Sequence, residues 1–243
     1  MGLLEKMFVQ RQKRTHPYCA ALIAAAGCST RYGGENKLLQ ELGGMPVLMR
    51  TLLVIDRCEG IDEIVIAARE DELLRYAELC KAYGLQKPVK VIVGGATRAE
   101  SVLRAALEAS REAAFFAVQD GARPLVTAEI IDDTLAAART YLAAAPAIPV
   151  RDTIKVARDG IVESTPERST LFAVQTPQVF AADLLKAALQ SALADGAAIT
   201  DDCSAVERMG KEVYLTEGSE ENIKITTPGD LVIAEAILQR RGE

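Results

Sequence analysis

Aromatic residues and histidine are scarce in this sequence. Its 243 residues include no tryptophan, five phenylalanines, six tyrosines and the single histidine His16, whereas 49% of the chain is hydrophobic. A core built mainly from alanine, valine, isoleucine and leucine favours helices and buried strands packed in layers over an aromatic-rich β-sandwich. The five cysteines form no Cys-X-X-Cys pair, so the chain lacks zinc-ligand spacing, and we expect reduced thiols in the cytoplasm.

Long apolar runs and an excess of positive charge are also missing. No apolar stretch approaches the roughly 18 to 20 residues that a membrane-spanning helix needs. Lysine and arginine total 28 against 34 aspartates and glutamates, which gives a formal net charge of −6. We therefore expect no nucleic-acid or membrane partner, and a local cluster of cations and backbone N–H groups for any anionic ligand.

Strand and helix patterns alternate through most of the chain. Apolar runs typical of strands buried on both faces are followed by helical patterns, and they occupy residues 19–27, 62–68, 88–95, 114–120 and 143–150. This alternation predicts an α/β fold with a mostly parallel sheet and helices on both faces. We expect a single domain over residues 18–243, preceded by a flexible extension over residues 1–17.

The rhythm changes after Arg151, where no long helical pattern occurs until Phe180. Two β-rich segments, DTIKVA and GIVEST, flank the dipeptide Asp159-Gly160, which is a strong hairpin signal. An isolated hairpin cannot bury both of its faces. We therefore predict a protruding β-hairpin arm over about residues 151–175 that serves as a dimerisation arm or a lid.

Three later helices carry N-terminal signals. Thr97 with Glu100 three positions on predicts a capping box, and Thr200 predicts the N-cap of a helix in TDDCSAVERMG. Thr227 followed by Pro228 predicts the start of the last helix.

Three unusual stretches, AAAGCSTR, VIVGGATR and VQDGARP, each follow a predicted strand. In open α/β sheets, ligands bind beyond the carboxyl ends of the strands. The first stretch lets phosphate oxygens approach backbone N–H groups, and Arg31 and Lys37 add positive charge. It matches neither the dinucleotide GxGxxG pattern nor the Walker A pattern. Taken alone, it fits an ordinary surface loop equally well.

Considered together with six later segments, this loop resembles one family. VIVGGATRAESVLRAAL, VQDGARPLV, IPVRDTIK, ERSTLFAVQTPQVF, ITDDCSAVE and NIKITTPGDL follow it in order up to about Leu238. The set is similar to the 2-C-methyl-D-erythritol 4-phosphate cytidylyltransferases, within the sugar-phosphate nucleotidyltransferases. The resemblance implies a Rossmann-like three-layer fold and transfer of CMP from CTP to a polyol phosphate, with Mg²⁺ bridging the CTP phosphates.

The resemblance also implies roles for residues in the core of the fold. Arg31 and Lys37 are expected to stabilise the α-phosphate during the reaction, with Lys224 beside it placing the attacking phosphate. The remaining core residues are expected to line the nucleotide cleft (Ala25, Ala26 and Gly27), to read cytosine (Gly95 and Ser101), and to hold ribose or substrate (Asp120 and Arg123).

A second group implied by the resemblance completes the substrate site. Thr153 and Arg168, on the arm, are expected to reach the substrate phosphate of a neighbouring subunit, which makes the enzyme a homodimer. Thr176 and Thr200 are expected to offer hydroxyl groups to the substrate. Each also has a structural reading, because Thr200 fits an N-cap and Thr176 precedes Pro177 in a turn. Lys224 lies between two isoleucines, so strand alternation places it opposite the apolar face.

Departures from the family pattern affect mainly the first loop. The segment between Arg31 and Lys37 is one residue short, and Asn36 stands where proline usually precedes the lysine. Three alternatives remain at this point. They are a ribitol 5-phosphate cytidylyltransferase, a dinucleotide-dependent oxidoreductase, disfavoured by the absence of GxGxxG, and a non-catalytic nucleotide-binding module.

Overall fold

The structure, a computed structural model, describes residues 16–27, 32 and 36–242. The predicted extension over residues 1–17 therefore lies, apart from its last two residues, outside the described part, as does Arg31. Within the described part no helix is long and apolar enough to cross a membrane.

Helices and strands alternate in the predicted order. The strands are β1 (Cys19–Ala25), β2 (Glu41–Leu42), β3 (Met45–Pro46), β4 (Glu63–Ala68), β5 (Val89–Val93), β6 (Phe115–Asp120), β7 (Ala143–Pro149), β8 (Val156–Arg158), β9 (Ile161–Ser164), β10 (Phe172–Val174), β11 (Gln178–Ala181) and β12 (Tyr214–Glu217). The α-helices are α1 (Val47–Arg57), α2 (Leu73–Ala82), α3 (Arg98–Glu108), α4 (Ala128–Tyr141), α5 (Ala182–Ala194), α6 (Asp202–Arg208) and α7 (Pro228–Arg241).

One large sheet organises the molecule. The sheet runs β7-β11-β6-β1-β4-β5, and β10 continues the line of β11 along β7. Ala144 of β7 pairs with Val179 of β11 and with Tyr214 of β12, so β12 forms the far edge. Only β10 and β11 run antiparallel to their neighbours in this sheet. The predicted mostly parallel α/β fold is confirmed.

Helices cover both faces of this sheet. Alternate residues of β1 enter different cores: Ala21 and Ile23 pack with α1, α2, α4 and α7, whereas Ala20 and Leu22 pack with α3, α5 and α6. Complete burial of a side chain as large as that of Leu22 or Ile23 stabilises the fold by about 1.5–3 kcal/mol. The result is three layers that hold the carboxyl ends of β1, β4, β5 and β6 at one edge.

Two predicted helix starts need correction. Thr97 does cap α3, since its hydroxyl accepts the Glu100 N–H (3.1 Å), but the Glu100 carboxylate accepts from Ala96 rather than from Thr97. Thr200 is not the N-cap of α6. Asp201 takes that place and forms a capping box with Ser204, because the carboxylate lies one residue closer to the first turn.

The last helix begins as predicted. Thr227 is the N-cap of α7, Pro228 is its first residue, and Thr227 forms a capping box with Asp230. The segment before it, residues 222–226, is not a strand of the sheet. Ile225 is buried and the Lys224 side chain is 37% exposed, but the predicted strand alternation does not hold along the segment, because Asn222, two residues before Lys224, is fully buried.

The two β-rich segments of the predicted arm pair as a separate two-stranded hairpin of β8 and β9. Asp159 and Gly160 both adopt positive φ angles, 51° and 80°, which the tight primed hairpin turns require. Ile161 and Val162 are 72% and 54% exposed, so residues 16–27, 32 and 36–242 do not cover these apolar side chains of the hairpin.

Candidate active site

A cavity of about 280 Å³ opens at the carboxyl edge of the sheet. Its lining includes eight of the predicted residues: Ala25, Ala26, Gly27, Lys37, Gly95, Ser101, Asp120 and Lys224. They come from the end of β1 and the turn after it, the short helical turn Lys37–Leu39, the loop between β5 and α3, the first turn of α3, the end of β6 and the segment before α7. The fold thus brings together segments that are far apart in the sequence, at the place where such sheets bind ligands.

The Asp120 carboxylate lies at the centre of a cluster of cations. Its Oδ2 is 2.7 Å from Lys224 Nζ and 3.7 Å from Arg123 Nε, and its Oδ1 is 3.4 Å from Arg98 Nε. Burial alone would raise the pKa of Asp120, but Arg98, Lys224 and Arg123 together lower it to about 2. Asp120 is therefore ionised at any physiological pH, and it holds three cations near one point.

A hydrogen bond to the segment between β10 and β11 fixes the position of Asp120. Its backbone N–H donates to the hydroxyl of Thr176, which is buried and accepts at 3.1 Å. The side-chain amide of Asn222 donates to the Thr176 carbonyl at 3.1 Å. Arg123 donates to the Asn222 carbonyl at 2.6 Å, which ties the segment carrying Lys224 to the end of β6. Thr176 and Arg123 thus hold the end of β6 and the segment that carries Lys224 in place.

Arg98 lines the same cavity and was missed in the sequence. Its Nη1 donates to Asp202 Oδ2 at 2.6 Å. Burial would lower the pKa of Arg98, but the charges of Asp202 and Asp120 raise it above its usual value. One sequence signal existed: Arg98 is the first residue of α3, where the helix dipole disfavours a cation unless something else holds it.

Two adjacent glycines shape the wall formed by the loop between β5 and α3. A Cβ atom on Gly94 would lie 2.6 Å from Ala26 Cβ, so only glycine allows this loop to approach the turn after β1 so closely. The Ser101 hydroxyl accepts from the Gly95 N–H at 3.0 Å and donates to the Thr97 carbonyl at 2.8 Å. Ser101 therefore holds the loop in shape as well as lining the cavity.

The unusual residue before Lys37 is well anchored. Asn36 accepts from the Leu38 N–H at 3.0 Å, and its amide donates to Glu72 (2.8 Å) and to the Tyr76 hydroxyl (3.0 Å). These bonds join the start of the short helical turn to α2 and its preceding turn. Lys37, the next residue, lines the cavity. Although Asn36 replaces the usual proline, its hydrogen bonds therefore fix the chain immediately before the lysine.

The remaining predicted residues lie elsewhere in the chain. Thr153 and Arg168 are exposed and do not line the cavity, and Arg168 donates to the Arg151 carbonyl at 3.1 Å. Thr200 is exposed too, and its backbone N–H donates to Ser204. A single chain therefore assembles the predicted nucleotide residues but not the predicted arm residues.

The cavity offers little for a protein-bound metal. In the described part of the chain, no group of three or more histidine, cysteine, aspartate or glutamate side chains could hold an ion. Asp120 is the one acidic residue among the described lining residues. Mg²⁺ often binds through one or two carboxylates together with substrate phosphates and waters, so these residues fit an ion that arrives on a triphosphate.

Comparison with known proteins gives one consistent result. The family model of IspD, 2-C-methyl-D-erythritol 4-phosphate cytidylyltransferase, matches residues 19–240. The protein of that name from Bacillus thuringiensis (strain Al Hakam) is 44% identical over 218 residues, which cover 89% of this chain and 96% of the relative.

A second relative and a solved structure agree. The protein of the same name from Caldanaerobacter subterraneus subsp. tengcongensis is 43% identical over 228 residues, covering 91% of this chain and 99% of the relative. The crystal structure of 4-diphosphocytidyl-2C-methyl-D-erythritol synthase from Anaerococcus prevotii is 29% identical, with a TM-score of 0.82, and covers 92% of this chain and 99% of that one.

Proposed function

The chain belongs to the 2-C-methyl-D-erythritol 4-phosphate cytidylyltransferase family and transfers CMP from CTP to that polyol phosphate, and we propose that it does so in the cavity around Asp120 and Lys224. The observation that carries this proposal is the contact of Lys224 Nζ with Asp120 Oδ2 in a cavity that Lys37 and the Ala25–Gly27 turn also line. Cations gathered around one buried carboxylate suit a ligand with several phosphates.

The proposed reaction is an attack on the α-phosphorus of CTP. An oxygen of the acceptor's 4-phosphate forms a new P–O bond, and the bond from the α-phosphorus to the oxygen bridging the α- and β-phosphates breaks. The electron pair leaves with pyrophosphate, and the product is 4-diphosphocytidyl-2-C-methyl-D-erythritol. Negative charge accumulates on the α-phosphate and the leaving group, where preorganised cations stabilise the transition state.

Lys224, Lys37 and Arg31 are the proposed cations for that step. Lys224 is oriented by Asp120 while its side chain remains 37% exposed, so it can reach both reacting phosphates. Lys37 comes from the opposite wall, on the segment anchored by Asn36. The resemblance supplies the role of Arg31, which lies outside the described residues.

The base is proposed to bind beside Gly95 and Ser101. Gly95 and Ala96 line the cavity next to the closely packed Gly94, and a cytosine edge can be read by backbone donors and acceptors. Ala25, Ala26 and Gly27 form the facing wall. Asp120 and Arg123 are proposed to lie on the ribose and substrate side.

Mg²⁺ is proposed to bind on the CTP phosphates rather than in a protein cage, with Asp120 as the nearest acidic side chain. When bound, the ion neutralises phosphate charge and favours departure of pyrophosphate. The protein's own task is to hold the triphosphate and the acceptor in line.

A homodimer is proposed to complete the acceptor site. The described part of the chain leaves apolar side chains of the hairpin exposed, Ile161 and Val162 among them, and a second subunit would cover them. Thr153 and Arg168 are proposed to contact the acceptor phosphate in the neighbouring subunit. Thr176 and Thr200 are proposed to offer hydroxyl groups to the acceptor bound in their own subunit.

The cytoplasm is the proposed compartment, because Cys19, Cys58, Cys80 and Cys203 are free thiols.

The experiment that tests the site of attack uses CTP labelled in two positions. Label at the α-phosphorus should appear in the polyol product, and label at the γ-phosphorus should appear in pyrophosphate. Label from the γ-position in the polyol would mean phosphoryl transfer and would overturn the proposed reaction.

A further inference from the structure

The strongest unassigned feature is a line of alternating charges that runs from the interior into the cavity. Asp202 contacts Arg98, Arg98 contacts Asp120, and Asp120 contacts Lys224, at 2.6, 3.4 and 2.7 Å. The two carboxylates come from different elements: Asp120 ends β6 and Asp202 is the first residue of α6. Arg98, the first residue of α3, joins them.

Asp202 is buried too deeply to act on a substrate itself. Its side chain is 1% exposed, and its Oδ1 has no hydrogen-bond partner within the described part of the chain. A buried carboxylate is costly unless a cation lies against it. Asp201 is the N-cap of α6, so the Asp202 side chain is not needed as a cap there.

Gln178 fixes the position of Asp202. Its side-chain oxygen accepts the N–H groups of Asp202 and Cys203, both at 3.1 Å, and its amide donates to Asp201 at 2.8 Å. Gln178 belongs to β11, which pairs with β6 through Val118, two residues before Asp120. Both ends of the Arg98 bridge are therefore anchored to neighbouring strands of the same sheet.

We propose that the Arg98–Asp202 ion pair is a positioning pair for the transfer reaction. It fixes the Asp120 carboxylate and, through it, Lys224, and it holds α3 against α6. The loop before α3 forms the nucleotide wall, and Thr200 precedes α6, so the pair keeps the two halves of the proposed site in register. The inference rests on the proposed function of this cavity.

Loss of Arg98 would remove the cation that contacts the Asp202 carboxylate and would leave Asp120 with Lys224 and Arg123. Asp120 would then draw Lys224 and Arg123 without the opposing pull of Arg98. Lys224 would be displaced from the reacting phosphates, and a displacement of about 1 Å can lower turnover about 100-fold.

The test separates positioning from mere stability by removing both charges at once. Replacing both members of a buried ion pair with apolar residues of similar size often leaves stability unchanged. The double variant Arg98→Met with Asp202→Leu should therefore fold with a melting temperature near that of the wild type, yet turn over about 100-fold more slowly. The matched control is Arg208→Met with Asp195→Leu, an exposed pair at 2.9 Å outside the cavity lining, and it should retain wild-type turnover.

The conservative variant Arg98→Lys provides an independent readout. Lysine keeps the charge but cannot bridge both carboxylates in the bidentate manner of arginine. We expect kcat to fall at least tenfold while KM for CTP changes less than threefold, because positioning is lost and binding is retained. A raised KM with unchanged kcat would contradict positioning.

The outcomes distinguish this inference from the function on which it rests. An inactive wild-type protein would contradict the proposed function. An active wild type with an equally active and folded double variant would contradict only the positioning role. If the double variant does not fold, the kcat of Arg98→Lys decides: a folded, slow enzyme supports the pair, and normal kcat overturns it.

Discussion

Lys224 Nζ and Asp120 Oδ2 lie 2.7 Å apart at the mouth of the cavity, although the two residues come from distant parts of the chain. The contact orients a cation that remains 37% exposed, while the carboxylate beneath it is only 8% exposed. The anion is therefore buried, whereas the cation remains accessible to a ligand. Lys224 lines the cavity in which we propose that the triphosphate binds.

Replacing Lys224 with alanine should lower turnover by about 10² to 10³, because one preorganised cation at a developing negative charge is worth that much. The fold should persist, since Asp120 retains Arg98 and Arg123. Steady-state kinetics and circular dichroism measure the two effects. Lys211→Ala, an exposed lysine outside the cavity lining, is the control. Near-normal turnover of Lys224→Ala would remove this residue from the mechanism.

Asp120→Asn should destabilise the protein by about 2 kcal/mol or more at neutral pH, given a folded pKa of about 2 against an ordinary 3.8. A lowered pKa contributes stability that is present above the unfolded value and is lost as the pH falls through the folded value. The stability difference from wild type should therefore be constant between pH 8 and 5 and shrink below about pH 4. Urea unfolding at several pH values measures it, and a difference that changes between pH 8 and 5 would contradict this assignment.

The layers and most element positions were predictable from the sequence because they depend on local periodicity. Buried strands such as β4 read as continuous apolar runs, and Asp159-Gly160 marked the hairpin turn through its backbone preference. The antiparallel course of β11 was not predictable, since pairing direction depends on contacts between distant segments. The N-cap of α6 was misplaced by one residue because Thr200 and Asp201 are both good caps.

The site was predictable in part, for a similar reason. Residues beside glycine-containing turns, such as Gly95 and Asp120, stood out as motifs at strand ends. Arg98 and Asp202 did not stand out in the sequence, because only the fold brings these distant residues into their 2.6 Å contact. The sequence likewise did not predict that the Thr176 hydroxyl accepts a hydrogen bond from the Asp120 backbone.

Gly94→Ala should weaken CTP binding about tenfold, because overpacking at a close contact commonly costs 1–3 kcal/mol. The added Cβ would lie 2.6 Å from Ala26 Cβ and 2.9 Å from Ser101 Oγ, which forces the nucleotide wall outward. Calorimetric titration with CTP measures the loss. Gly229→Ala is the matched control, since its nearest contact would be an ordinary 3.7 Å. Equal affinity of the Gly94 variant and the wild type would mean that CTP does not use this wall.

Mixing two inactive variants tests whether the arm acts across a dimer. Arg168→Ala and Lys224→Ala subunits should each be slow alone, whereas random exchange should restore about a quarter of the wild-type rate. Half of the dimers are then mixed, and each mixed dimer has one intact site if Arg168 acts in the neighbouring subunit. Sedimentation and a tag-exchange assay establish dimers and mixing. Confirmed exchange without recovery would place Arg168 in its own subunit's site, and normal turnover of Arg168→Ala alone would remove it from the mechanism.

The most direct test of the central claim is pyrophosphate release by the wild-type protein with CTP and Mg²⁺. Release is predicted with 2-C-methyl-D-erythritol 4-phosphate, is predicted to be absent with ribitol 5-phosphate, and should stop when the metal is chelated. Release with ribitol 5-phosphate alone would contradict the assigned acceptor, and no release with either acceptor would contradict catalysis by this cavity.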